Sequence, residues 1–77
     1  MSQYNIIYNS PDNETYLWGN HAFDKLANPH NIGLRFSGKD FKEDELNDAL
    51  EKAIEAAKKQ FPSDTDPEIT VVEIKVT

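Results

Sequence analysis

The chain predicts an α+β fold: a mixed four-stranded sheet, with one long amphipathic helix packed on one face. Three observations lead there. Leu46, Leu50, Ala53, Ala57 and Phe61 recur at helical spacing. Ile69 to Val76 is a β-branched run set off from that helix by Pro62 and Pro67. Near the amino terminus Tyr4, Ile6 and Tyr8 alternate with polar neighbours, the period of a strand.

Taken in order, the first element is a hairpin over residues 3–18. Ser10-Pro11-Asp12-Asn13 forms its turn, because Pro11 pre-sets φ at the second turn position. Thr15-Tyr16-Leu17-Trp18 resumes the strand pattern. Gly19-Asn20 stops it. Asn20 then caps a short helical segment over His21–Ala27, with Phe23, Leu26 and Ala27 inward and Asn28-Pro29 as its stop. Ile32, Leu34 and Phe36, separated by Gly33 and Arg35, predict a third strand.

The long helix covers Glu43–Gln60. Its start has two registers. Phe41 and Leu46 as a hydrophobic staple make Lys42 the N-cap, whereas Asp40 with Glu43 makes a capping box. Glu43, Asp44 and Glu45 suit the positive helix N-terminus, Lys58 and Lys59 the negative end, and Pro62 terminates the element. Ala49, Ala53 and Ala57 form a small-residue ridge that lets the helix approach a sheet closely.

The last strand is apolar on both sides, Ile69 and Val71 one way, Val72, Ile74 and Val76 the other. That pattern predicts a central strand. The strand–helix–strand unit from Ile32–Phe36 to Ile69–Val76 predicts a parallel pair with a right-handed crossover, in strand order 2-1-4-3. One helix covers one face only. The other face would expose Ile7, Leu17 and part of the last strand, an apolar patch suited to a homodimer through the sheet face.

Composition bounds the function. Residues 1–77 form a single domain, and a chain of this size buries only about 60% of the surface its unfolded form exposes. It has no cysteine, so no disulfide or thiolate metal site supplements the core. No leader or membrane span is read in the sequence, and the expected location is cytoplasmic. The net charge is −6, with ten acids against five bases in residues 41–77. Such a surface repels phosphate, which argues against direct nucleic-acid or anionic-membrane binding; it is compatible with a protein partner with a basic surface, or simply with solubility.

Chemistry-bearing constellations are sparse. His21, Asp24 and His30 are the only metal or acid–base cluster to consider, and no H-E-x-x-H spacing accompanies them. Ser37-Gly38-Lys39-Asp40 has the glycine–lysine pair of a phosphate loop without the rest of that motif. The serines have no G-x-S-x-G context. The aromatic residues lack the flanking lysines and arginines of a base-stacking platform. No metal, cofactor or catalytic residue is assigned, and the chain reads as non-enzymatic.

What remains is an acidic ridge. Asp44, Asp48, Glu51 and Glu55 fall opposite the apolar stripe of the helix, with carboxylates about 5–6 Å apart along its axis. Such a row imitates a phosphate backbone and suits the cationic groove of a nucleic-acid enzyme, although Asp48–Lys52 and Glu55–Lys59 are also ordinary i,i+4 pairs. The expected function is a small acidic protein-binding module that occludes a partner, in its sharpest form a phage- or mobile-element-type inhibitor of a nucleic-acid-processing or defence enzyme. The rival is an oligomeric small-molecule-binding protein or small enzyme with sites between subunits, built around His21, His30, Arg35 and Trp18.

Overall fold

In the computed structural model, which describes residues 2–26 and 40–75, the first strand organises the sheet. β1 (Ser2–Asn9) pairs antiparallel along its whole length with β5 (Glu68–Lys75). On its other side it pairs with two short strands, β2 (Thr15–Trp18) near its end and β4 (Phe41–Lys42) near its start. β3 (Phe23–Lys25) lies beyond β2, so the order runs β3-β2-β1-β4 with β5 across β1. A 3₁₀ turn, Glu43–Glu45, leads directly into α1 (Leu46–Gln60). The class is α+β, an antiparallel sheet with one helix packed against it.

Local chemistry explains the first hairpin. The Ser10 hydroxyl accepts from the backbone N–H of Asp12 and of Glu14, both at 3.2 Å. Asn13 takes a φ of 64°, the left-handed conformation that asparagine tolerates best after glycine. The register follows, with Ile7 opposite Leu17 and Tyr8 opposite Tyr16.

Over its described residues, 21–26, the expected short helix His21–Ala27 is not formed. Residues 23–25 are a strand, with Trp18 opposite Phe23 and Tyr16 opposite Lys25. Asn20 turns the chain rather than capping a helix, at a φ of 72°, and the Gly19 N–H donates to the Ala22 carbonyl at 3.0 Å. Gln60 supplies the reason a three-residue strand persists. Its side-chain amide accepts from the Phe23 N–H at 3.0 Å and donates to the Phe23 carbonyl at 2.9 Å, standing in for a neighbouring strand.

At the helix start the staple register prevails over the Asp40 box. Lys42 is extended (φ −76°, ψ 161°), and its backbone N–H donates to the Glu45 carboxylate at 3.0 Å. Phe41 is buried and packs in the same cluster as Leu46. At the other end the Phe61 N–H reaches the Ala57 carbonyl at 2.8 Å, and Pro62 prevents continuation.

Residues directly opposite in a sheet share a face. Ile6, Tyr8, Trp18, Phe23 and Phe41 meet Ala49, Ala53 and Ala57 in the main core. The alanines bring α1 close over β1, β3 and β4, and the tyrosine and phenylalanine rings fill the space around them. α1 packs chiefly against β1, β3 and β4, and Ile54 on the helix and Val71 on β5 stay 40% and 38% exposed.

Among the described residues β5 pairs with β1 alone, while β1 has partners along both edges; the neighbour expected on the far side of β5, Ile32–Phe36, lies outside those residues. One expectation about the sheet changes: the second face is not an exposed patch. Ile7, Leu17 and Ile74 are 2%, 1% and 4% exposed within the single chain, which removes the surface from which a sheet-face homodimer was inferred. All pairings among the described residues are antiparallel; the predicted strand Ile32–Phe36 and its parallel pairing lie outside those residues.

Candidate functional site

The helix positions its charges by elimination. With Ala49, Ala53 and Ala57 buried in the sheet-facing stripe, the 3.6-residue period turns Asp48, Glu51 and Glu55 to the opposite side; Asp44 lies in the 3₁₀ turn just before α1, and all four are exposed. Glu43 and Glu45 add two exposed carboxylates at the helix start. Neither Asp48–Lys52 nor Glu55–Lys59 closes into an ion pair. Among the described residues the ion pair present is Lys25–Glu14, at 2.8 Å. The ridge therefore presents its charge to solvent without an internal cation drawn onto it.

The ridge borders a cleft at its amino-terminal half. Asn20, Phe41, Asp44, Glu45, Asp48 and Lys52 line a cavity of about 270 Å³ between α1 and the β2–β3 turn. Asp44 and Asp48 thus belong both to the outer row and to the cleft wall. The turn at Asn20 places that wall, and no sequence signal connects residue 20 with residue 48.

A second cleft, of about 290 Å³, lies between the β1–β2 turn and the turn that leaves the helix. Its floor is aromatic. Tyr8 and Phe61 stack with centroids 4.2 Å apart and planes 15° from parallel, and Tyr16 meets Phe61 edge-on at 4.8 Å and 60°. Asp12, Glu14 and Asp64 supply carboxylates. The Tyr8 hydroxyl donates to Asp64 Oδ2 at 2.6 Å, a short charge-assisted bond. Burial first, then that bond and the Asp64 charge, push the Tyr8 hydroxyl up to about 12. Tyr16 is also raised, by burial and then by its hydrogen bond to Glu14. The Glu14 carboxyl is lowered because it accepts from Lys25 and then from Tyr16.

Among the described residues, the others singled out in the sequence do not assemble. His21 is exposed in a turn, and Asp24 sits on a strand instead of one helical turn from it. Trp18 is 2% exposed within the core and offers no ring to a ligand. His30, Arg35 and the Ser37–Lys39 stretch lie outside the described residues. Among the described residues no group of three or more histidines and carboxylates is placed to hold a metal ion. No helix among them is long and apolar enough to cross a membrane.

Compared with protein-family models, with curated proteins and with solved structures, the chain matches none.

Proposed function

We propose that this chain is a small, non-enzymatic protein-binding module that acts in the cytoplasm by occluding a partner with a basic surface. The observation that carries the reading is the outer face of the helix, where Asp48, Glu51 and Glu55 stand exposed opposite the buried alanines, with Asp44 exposed in the turn before them, all unpaired by any described cation. A rigid row of carboxylates steers a cationic surface into contact and sets its register. Fixed on an element whose other side is locked into the core, the row loses little freedom when it is covered. The sharpest form is an inhibitor of a nucleic-acid-processing or defence enzyme. In that form the ridge occupies a groove built for phosphates, repeating charge at intervals of the same order as a phosphate strand.

The test is capture on immobilised wild-type chain and on the double variant Asp48→Lys/Glu51→Lys, with the bound proteins identified. Capture should fall steeply with added salt and with added DNA, and should be lost in the variant. Retention of the same partner by the charge-reversed chain would refute the ridge mechanism.

A further inference from the structure

Resting on the reading of the chain as a module for a basic partner, we propose that the cleft between the β1–β2 turn and the helix-exit turn receives one arginine side chain of that partner. Its chemistry is separate from that of the ridge. The ridge carboxylates stand exposed along a helix, whereas here Asp12, Glu14 and Asp64 stand around half-buried rings. A guanidinium is the cation suited to both features, since it lies flat against an aromatic ring while its fork of N–H groups engages carboxylate oxygens.

Several observations narrow the ligand. The cavity of about 290 Å³ admits a side chain and not a folded element. Tyr16 and Phe61 meet edge-on, which leaves an open angle between two half-buried rings instead of a closed stack. Asp64 accepts from the neutral Tyr8 hydroxyl and from the Asp66 N–H, so its charge is not neutralised by either. Glu14 already accepts from the Lys25 ammonium at 2.8 Å, which leaves Asp12 and Asp64 as the carboxylates for the guanidinium. α1 ends at Phe61, whose ring lines the cleft.

The experiment is an amide NMR titration of the full chain with three blocked tripeptides, Gly-Arg-Gly, Gly-citrulline-Gly and Gly-Lys-Gly. Arginine should give saturable shifts confined to residues 10–16 and 61–64, lysine weaker ones, and citrulline, which keeps the shape without the charge, none. Asp12→Asn removes an exposed carboxylate with no packing role and should weaken the arginine peptide roughly three- to fivefold. Asp48→Lys/Glu51→Lys should leave the titration as it is, so that failure of the ridge and failure of the cleft are read separately. Equal response to arginine and citrulline, or to arginine and lysine, would overturn the assignment. So would shifts that do not saturate, shifts confined to residues 44–55, or an unaltered affinity in Asp12→Asn.

Discussion

Replacing Tyr8 by phenylalanine isolates one interaction between the sheet and the helix-exit turn. The ring keeps its stack on Phe61 at 4.2 Å, and only the hydroxyl that donates to Asp64 at 2.6 Å is lost. A hydrogen bond to a charged group contributes about 1.5–3 kcal/mol. Asp64 is half-buried and regains water once the donor is gone, so the cost belongs at the lower end, about 1.5–2 kcal/mol. For a domain of this size that lowers Tm by roughly 6–15 °C. The pH dependence has a definite sign. The folded hydroxyl is pushed up to about 12, while an unfolded tyrosine ionises near pH 10. Below pH 10 the contribution is complete. Above it the unfolded chain releases the proton that the folded chain retains, so the contribution falls and is gone beyond about pH 12. Urea unfolding followed by fluorescence of the single, buried Trp18, with far-ultraviolet circular dichroism as a second probe, measures this. The gap between wild type and Tyr8→Phe should be constant from pH 6 to 9 and narrow above pH 10. Tyr4 and Tyr16, also raised, are present in both proteins and cancel. Equal midpoints at neutral pH, or a gap that does not narrow, would refute the reasoning.

Gln60→Ala should destabilise the chain by about 1–3 kcal/mol, because two hydrogen bonds to the Phe23 backbone are lost together. The Phe23 amide should also exchange with solvent faster than before; unchanged exchange would mean that the side chain does not hold β3. Ala53 is fully buried where the helix meets the sheet, so Ala53→Leu should cost about 1–3 kcal/mol by overpacking, read from the urea midpoint. An unshifted midpoint would mean that the helix does not approach the sheet as closely as described. Asp48→Lys/Glu51→Lys should fold with stability within about 0.5 kcal/mol of wild type, since both side chains are exposed and unpaired. A large loss would place them in the fold instead of on its surface.

Much of the fold was legible because it rests on short-range signals. The alternation of Tyr4, Ile6 and Tyr8, the Ser10–Asn13 turn and the staple of Phe41 on Leu46 each act within a few residues, and each appears where expected. The segment from His21 to Ala27 was misread for the opposite reason. Phe23 and Leu26 have helical spacing, but seven residues form too short a helix to hold by propensity, and distant partners decided the outcome. Trp18 pairs with Phe23 from one side, and Gln60 satisfies the Phe23 backbone from the other. The pairing role of β1 was hidden in the same way. β5 is apolar on both faces, yet among the described strands it is β1 that pairs with three others, β2, β4 and β5, a preference that belongs to pairs and not to single strands.

Most of the exposed acidic row follows from sequence alone, since a helix with Ala49, Ala53 and Ala57 turned inward must turn Asp48, Glu51 and Glu55 outward. The two clefts do not follow from it. One joins Asn20 to Asp48, and the other joins Asp12 and Tyr16 to Phe61 and Asp64. A helix period sets direction over a few residues without outside help, whereas meetings across such separations depend on how helix and sheet pack, and only the tertiary structure decided them.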